Sequence, residues 1–440
     1  MIIFGVFGMS IFAGRDLEGK VTAETDSYED LKLFSEVLSS LQKNYVEPVK
    51  SKELVYGAVK GMLNTLDAHS AFMPPEVYKE MQVDTKGEFG GLGLQIGMKE
   101  NKLVVIAPIE GTPADVAGIK PGDVILKVDD QTLTKETSLM EAVNKMRGER
   151  GSKVHLTIQR DQVANPMTFE LVRDIIRIQS VKSKVLEPGI GYVRLTQFQE
   201  QTAHDLTKAV SKLRESNIHS LILDLRNNPG GLLTSAVEVS EQFLESGKLI
   251  VFIKGRDGKR DEYIASNSAA LKDIPLIVLV NEGSASASEI VSGALQDWGR
   301  AVVVGTQTFG KGSVQTILPL SDGSALRLTT AKYYTPKGRS IQNTGIDPDI
   351  TVKPNLPKEV KNGPVLRERD LERHLKNELK PDSDKIEAPA PRPMEDATGI
   401  SEPSPEKEED IQLQKAIDLL KSWRIFKDLA PQLTAQKNSR

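Results

Sequence analysis

The spacing of hydrophobic and polar positions changes several times along the chain. The first ordered pattern is SYEDLKLFSEVLSSLQKNY, in which apolar residues recur three and four positions apart, as on one face of an α-helix. A second helical stretch, KELVYGAVKGMLNTLD, follows it. We therefore predict a helical domain over residues 27–84.

Residues 85–172 have the pattern of a compact β-rich module. The segment opens with the glycine-rich run TKGEFGGLG and contains two runs of β-branched residues, LVVIAPI and VHLTIQR. Such runs, separated by glycine and proline turns, are typical of short strands. One helix, SLMEAVNKMRG, is predicted to end at Gly148.

Residues 173–356 alternate between strand-like and helical patterns. Continuous apolar runs such as SLILDLR and PLIVLV are separated by amphipathic stretches such as HDLTKAVSKLRES and ASEIVSGALQDWG. Uninterrupted apolar strands indicate a sheet that is buried on both faces. The segment is therefore predicted to form an α/β core.

The two ends of the chain differ from the middle. Residues 1–26 begin MIIFGVFGMSIFAG, which is shorter than the ~20 apolar residues of a membrane span and indicates a signal peptide or short anchor, with a buried strand as the alternative. Residues 357–440 combine a linker rich in proline, serine and acidic residues, predicted to be disordered, with a final amphipathic helix. The apolar face of that helix requires a covering surface, on the body of the protein or on a second subunit.

The amino-acid composition excludes or disfavours several classes of site and partner. The chain has no cysteine, so disulfides and thiolate sites are excluded. Its five histidines are scattered and form no HxxxH or HExxH pair, which disfavours a zinc hydrolase. With a net charge of −4 the chain lacks the basic field that nucleic acid requires. We expect no metal, no cofactor and no nucleic-acid partner.

Two glycine-rich motifs are candidate anion-binding turns. In GEFGGLGLQI, backbone N–H groups before a strand could hold a carboxylate, and the strand edge could pair with a peptide. In DLRNNPGG, an apolar strand runs into two glycines at a helix start, where free N–H groups could form half of an oxyanion hole. Each motif also fits an ordinary tight turn.

The segment VNEGSASASEIVSGALQD holds four serines at the start of a predicted helix. The helix dipole favours negative charge there, and a buried lysine in the following TFGKGSVQ could serve as a general base because burial lowers its pKa. However, Ser286 and Glu289 also have the spacing of a structural capping box. The spacing alone does not select among Ser284, Ser286 and Ser288.

These motifs occur in an order that resembles a known family. Residues from Gly90 to about Arg160, with TPADVAGIKPGDVILKVDDQ, are similar to the PDZ domain. Together with LDAHSAFM, DLRNNPGG, NEGSASASEIV, TFGKGSVQ and YYTPKGRSIQNTGIDPDI, the chain resembles the C-terminal processing peptidases, or tail-specific serine proteases. The resemblance implies a multidomain α/β protein: a crotonase- or ClpP-like peptidase core, a PDZ module and an N-terminal helical region.

The resemblance also implies the roles of individual residues. Ser286 would be the nucleophile, Lys311 the general base and Gln315 the residue that orients the lysine. The remaining implied positions are the oxyanion hole (Gly230, Gly231, Ala287), the loop that binds the substrate's tail (Gly91, Leu92, Gly93, Leu94) and a coupling residue between the PDZ module and the core (Arg147). His69, outside the α/β core, is expected to be structural.

The function implied is that of a serine endopeptidase that recognises protein C-termini and cleaves near them. Its partners would be proteins or peptides with free C-termini, and its terminal helices are candidates for homo-oligomer contacts. The N-terminus suggests a bacterial envelope location, periplasmic or extracytoplasmic, with or without a membrane anchor. Two alternatives are an inactive PDZ-bearing binding protein and a crotonase-type acyl-CoA enzyme.

Overall fold

The computed structural model describes residues 25–266, 271–355, 366–379 and 410–437. Most of the predicted signal or anchor segment, residues 1–26, therefore lies outside the described residues. The chain divides into two compact units, residues 1–65 and 66–440. The first unit contains helices α1 (Thr25–Asn44) and α2 (Ser51–Leu63). Within the four described ranges, no helix has the length and apolar character needed to cross a bilayer.

The second unit begins with a strand that the helical pattern did not predict. Strand β1 (Ala71–Met73) lies within residues 27–84, which we expected to be helical, and it pairs with a distant strand of the core. Helix α3 (Pro75–Lys86) follows, with Pro75 in its first turn, and it ends at Gly87 in the left-handed conformation, φ 73°. The chain then enters strand β2 (Glu88–Gly91).

The PDZ-like module is an antiparallel sheet with one principal helix. Its strands are ordered β3-β4-β5-β7-β8, and β6 pairs with β5. Ser138 accepts a hydrogen bond from the Glu141 N–H at 3.2 Å and so begins the principal helix. The elements are β3 (Leu94–Lys99), β4 (Lys102–Pro108), α4 (Pro113–Val116), β5 (Val124–Val128), β6 (Gln131–Thr132), α5 (Leu139–Met146), β7 (Lys153–Gln159) and β8 (Met167–Val172).

After the module, strand β9 pairs antiparallel with β2. The chain then forms two further sheets. One has the order β10-β11-β12-β15-β16-β19, and the other contains β1-β18-β13-β14 with β17 paired to β18. The elements are β9 (Asp174–Arg177), β10 (Val181–Glu187), β11 (Ile190–Leu195), α6 (Thr202–Glu215), β12 (Ser220–Asp224), α7 (Leu233–Glu241), β13 (Leu249–Gly255), β14 (Arg260–Ile264), β15 (Leu276–Val280), α8 (Ala287–Asp297), β16 (Val302–Gly305), β17 (Ser313–Pro319), β18 (Ala325–Tyr334), β19 (Ile350–Thr351) and α9 (Ile411–Lys437).

The six-stranded sheet is covered on both faces, as its continuous apolar strands predicted. From β11 to β19 its neighbouring strands are parallel. Alternate residues of each strand point to opposite faces, so Leu221 and Leu223 join a core with α6, α7 and α8, whereas Ile222 packs in the cluster that includes α9. The predicted fold class, a multidomain α/β protein with a β-rich module, is confirmed.

Part of the stretch predicted as a linker has defined contacts with the core. Residues 366–379 contain a short 3₁₀ turn (Glu368–Asp370), in which Glu368 is fully buried. Farther along, the Asn377 amide donates to the Gln342 carbonyl at 2.7 Å. The segment thus belongs to the folded core.

Candidate active site

Three loops meet at one edge of the six-stranded sheet. They follow β12, β15 and β16, which are adjacent in the sheet and parallel. The carboxyl ends of parallel strands share one edge, where ligand sites of α/β proteins form. This topology brings DLRNNPGG, NEGSASAS and TFGKGS together although they are far apart in sequence.

Burial distinguishes the four serines of the second loop. Ser284, Ser288 and Ser292 are 0% exposed. Their hydroxyls donate to the carbonyls of Leu225, Asn228 and Ser288, at 2.8, 2.9 and 2.7 Å respectively. Ser286 alone is partly exposed. It is therefore the serine of this group that a substrate can reach.

Ser286 has an unusual backbone conformation. It precedes α8 with φ 55° and ψ −113°, a region that non-glycine residues rarely occupy and that costs on the order of 1–3 kcal/mol. The surrounding structure must therefore hold it in place. Glu289 does so in part, because its carboxylate accepts a hydrogen bond from the Ser286 N–H at 2.7 Å. The predicted capping box is present, in the same residue that is the candidate nucleophile.

The Glu289 carboxylate joins the serine loop to the lysine loop. Its Oε2 accepts from the N–H groups of Ser286 at 2.7 Å and Lys311 at 3.0 Å. Its Oε1 accepts from the Thr308 hydroxyl at 2.6 Å and the Gly310 N–H at 2.7 Å. Burial raises the pKa of Glu289 to about 7, although these hydrogen bonds favour the ionised form. One buried side chain thus fixes the relative position of both loops.

The environment of Lys311 favours the neutral amine more than water does. Burial lowers its pKa below the usual value of 10.5, and the positive charge of Arg327 lowers it further. Glu368, Glu289 and Asp67 act in the opposite direction, more weakly than burial. A larger fraction of Lys311 is therefore unprotonated near neutral pH than for an exposed lysine.

Tyr333 contacts both candidate catalytic residues. The buried Tyr333 hydroxyl donates to the Lys311 carbonyl and is hydrogen-bonded to the Ser286 side chain. Burial raises the pKa of Tyr333 well above its usual value, so the phenol stays protonated. The hydroxyl therefore helps to hold the serine and the lysine next to each other.

Gln315 lies on β17, shortly after Lys311. Its amide nitrogen is hydrogen-bonded to residues other than Lys311. It donates to the hydroxyls of Ser313 at 3.2 Å and Thr329 at 2.9 Å. Within the described residues, Gln315 Oε1 is buried without a hydrogen-bond partner. This acceptor is the part of Gln315 that remains available to an ammonium or amine group.

The glycine turn after β12 lies directly against Ser286. Gly230 has φ 103°, and a Cβ atom built on it would be 2.8 Å from the Ser286 Cβ and 3.0 Å from the Ala287 nitrogen. The Gly230 N–H donates to Asn228 Oδ1 at 2.9 Å. In the described part of the chain, the N–H groups of Gly231 and Ala287 have no protein acceptor. Of the three predicted oxyanion donors, these two are therefore free.

The predicted tail-binding loop connects β2 to β3. Gly93 has φ 78°, and the carbonyls of Leu92 and Gly93 accept from Ala114 and Ile109. Among the described residues, no acceptor is found for the N–H groups of Leu92 and Gly93. Strand β3, which begins at Leu94, pairs only with β4 in the described sheet, so its other edge is open.

Arg147 lies between the PDZ-like module and the segment that precedes it. Its guanidinium is 4.8 Å from the centre of the Phe89 ring and 3.8 Å from the Glu80 carboxylate. Its Nε is buried and has no hydrogen-bond partner within the described ranges. These contacts link the end of α5 to α3 and β2.

Several residues make contacts near the site that the sequence did not predict. His69 Nε2 lies 2.8 Å from the Glu368 carboxylate, which comes from the stretch predicted as a linker. Thr308 likewise contacts Glu289, and Tyr333 contacts Ser286, only through tertiary packing. Glu289 did have a signal, the capping-box spacing, but not for its link to Lys311. In the described ranges, no group of three or more histidine or acidic residues is placed to hold a metal ion.

Comparison with known proteins agrees with this architecture. The profile of peptidase family S41 matches residues 189–352, that of the PDZ domain matches residues 90–171, and that of the activating protease CtpB N-terminal domain matches residues 10–77. A carboxy-terminal-processing protease of Bartonella bacilliformis is 44% identical over 435 residues, which cover 96% of this chain and 95% of that protein. The chain is a member of the carboxy-terminal processing protease family.

Other members of the family are similar over most of the chain. A carboxyl-terminal-processing protease of Synechocystis is 41% identical, covering 72% of this chain and 75% of the relative. The carboxy-terminal processing protease CtpB of Bacillus subtilis is 35% identical, covering 86% and 80%. Membership confirms the resemblance inferred from the motifs: this is a family S41 serine peptidase with a PDZ domain.

Proposed function

We propose that the protein is a serine endopeptidase that binds free protein C-termini through its PDZ domain and cleaves near them with a Ser286–Lys311 dyad. One observation carries this proposal. The accessible serine and the buried lysine donate their backbone N–H groups to the same Glu289 oxygen, which brings the two residues together. No histidine is needed, because the lysine's lowered pKa supplies the base.

The chemistry follows from the groups around Ser286. Neutral Lys311 accepts the hydroxyl proton as Ser286 Oγ attacks the scissile carbonyl carbon. The oxyanion that forms is stabilised by the free N–H groups of Gly231 and Ala287. Protonated Lys311 returns its proton to the leaving amine, and water then hydrolyses the acyl-enzyme. Gln315 Oε1, which is buried and has no hydrogen-bond partner among the described residues, accepts a hydrogen bond from the Lys311 amine during the reaction and so orients it.

Substrate recognition is assigned to the PDZ domain. The extended tail adds to the open edge of β3, and its carboxylate is bound by N–H groups of the loop from Gly91 to Leu94. Arg147 couples this domain to the rest of the enzyme, since its contacts with Phe89 and Glu80 lie where the chain enters the domain.

The dyad is tested with a peptide that has an apolar residue and a free carboxylate at its C-terminus. Cleavage should be lost in Ser286→Ala and Lys311→Ala, and also in Lys311→Arg, because a guanidinium does not lose its proton. Ser292→Ala, which removes a buried hydroxyl from the same helix, is the matched control and should remain active. Full activity in either alanine variant of the dyad contradicts the proposal.

A reactive-serine probe separates the enzyme from an inactive binding protein. Labelling that disappears in Ser286→Ala supports the enzyme, whereas absence of labelling in the wild-type chain favours a binding protein.

We further propose that the protein acts in the bacterial envelope, with the N-terminal segment as its signal or anchor. Apolar residues exposed on α9 are proposed to mediate contact with a second copy.

A further inference from the structure

The PDZ domain contains a cavity at the end of β3 that is remote from the tail-binding loop. Its volume is about 380 Å³, in the range of small ligand sites. Leu103, Ile125 and Ala142 form a nearly fully buried apolar floor. Met98 and Thr137 also line it.

The path of a bound tail leads to this cavity. With the carboxylate at the loop before Leu94, a peptide that pairs with β3 must run antiparallel to it. Residues upstream of the terminus then pass along the strand towards Met98. Met98 is four residues beyond Leu94, a distance of roughly 13 Å at the rise of a β-strand.

The cavity also lies on the correct face of the strand. Leu94 and Ile96 pack against the core of the domain, and side chains two apart along a strand share a face. Met98 therefore continues the row formed by Leu94 and Ile96. Ala142 of α5 belongs to the buried cluster against which Leu94 and Ile96 pack, and it also lines the cavity.

We propose that this cavity is a second specificity site, which takes a large apolar side chain about four residues upstream of the substrate's C-terminal residue. The inference rests on the proposed tail recognition and extends it. The enzyme would then select tails by two features, a free carboxylate and an apolar residue at a fixed distance from it.

The test measures binding of fluorescein-labelled ten-residue peptides to the full-length Ser286→Ala chain by fluorescence anisotropy. Serine is substituted in turn for leucine at each position from the third to the sixth upstream of the terminus. We expect the dissociation constant to rise about tenfold at the fourth position, as for loss of one buried leucine side chain. The other positions should change it by less than about threefold.

A variant that fills the cavity provides the second half of the test. Met98→Trp should weaken binding of the leucine peptide about tenfold and leave binding of the peptide with serine at the fourth position unchanged. Val116→Trp is the control, because Val116 is 80% exposed and does not line the cavity, and it should change the binding of neither peptide. Thr137→Trp provides a second filling variant if Met98→Trp does not fold. A flat serine scan, or equal effects of both filling variants on both peptides, overturns the cavity proposal. Equal binding of free and amidated peptides would instead overturn tail recognition itself.

Discussion

At the scale of single residues, Glu289 provides the most specific prediction. Its carboxylate accepts four hydrogen bonds from the serine and lysine loops. Glu289→Gln keeps the shape but points an N–H₂ group at donors, so the loops must shift. Displacement of catalytic groups by about 1 Å typically costs on the order of 10²-fold in rate, and we expect a loss of that size in kcat.

The control for this variant is Glu282→Gln. Glu282 lies in the same loop as Ser286 and accepts a hydrogen bond from the Thr306 hydroxyl at 2.9 Å. In the described structure no hydrogen bond or ion pair joins it to Ser286 or Lys311, so its substitution should leave kcat within about threefold. Equal losses in both variants would show that any change in this loop is damaging and would remove the special role of Glu289.

The pH dependence of the reaction provides a second prediction. Ionised Glu289 is needed to accept all four hydrogen bonds, and in the proposed mechanism neutral Lys311 takes the serine proton. Both requirements make kcat/KM rise with pH: Glu289 ionises through pH about 7, and the pKa of Lys311 is lowered from 10.5. A pH–rate profile of Glu289→Gln should lack the step near neutrality and keep the lysine limb. An unchanged profile would contradict the assignment.

A comparison of Gly230→Ala with Gly247→Ala separates steric overlap with Ser286 from backbone strain at a positive φ. In Gly230→Ala the new methyl group would be 2.8 Å from the Ser286 Cβ, whereas in Gly247→Ala nothing lies within 4 Å. Both glycines have positive φ, 103° and 84°, so backbone strain should cost both variants roughly 1–2 kcal/mol of unfolding free energy, and the overlap should destabilise Gly230→Ala further. Only Gly230→Ala should abolish peptide cleavage. Denaturant unfolding and a kinetic assay on both proteins test this pair.

At the scale of elements, residues 366–379 support the loop that carries Lys311. The Arg367 guanidinium donates to the carbonyls of Thr308 at 2.8 Å and Gln307 at 3.2 Å. Arg367→Ala should therefore lower kcat several-fold, with a loss of about 1–3 kcal/mol in stability. Arg369→Ala, at an exposed position two residues away, is the control and should change neither quantity measurably. Wild-type kinetics in Arg367→Ala would show that this segment does not position the loop.

The sequence predicted those elements whose pattern is set locally. Strands β12 and β15 and helix α8 follow continuous apolar or amphipathic runs, and the structure contains all three. Strand β1 was missed because its conformation depends on pairing with β18, far along the chain. The same reason applies to the 366–379 segment, whose polar composition resembles a linker although Glu368 is buried against His69 and Gln342.

The candidate site was predictable to a similar extent. Spacing alone left several serines as candidates for the nucleophile, and the family resemblance selected Ser286. The structure adds a physical criterion, because the other three hydroxyls are buried and bonded to carbonyls. Such burial depends on how α8 packs against the turn after β12, which no local pattern encodes. Tyr333 was missed for the same reason.

At the scale of the whole molecule, helix α9 joins the core to an exposed aromatic surface. Its first half buries Ala416, Ile417 and Leu420 against the sheet. Beyond them, Trp423 and Phe426 remain 46% and 70% exposed. Adjacent exposed aromatic side chains of this size are typical of interaction surfaces. We expect self-association through this end of α9, measurable as a concentration-dependent mass by light scattering.

Phe426→Asp should weaken this association at least tenfold, because it places a charge in an apolar contact and removes a large aromatic group. At concentrations where the wild-type chain is also monomeric, it should leave the unfolding midpoint unchanged, since the side chain is exposed in the isolated chain. Ser422→Asp adds the same charge at an exposed position of the same helix and controls for electrostatic repulsion. If both variants dissociate equally, charge rather than the aromatic contact controls assembly. If the wild-type chain is monomeric at all concentrations, the exposed end of α9 does not join two copies.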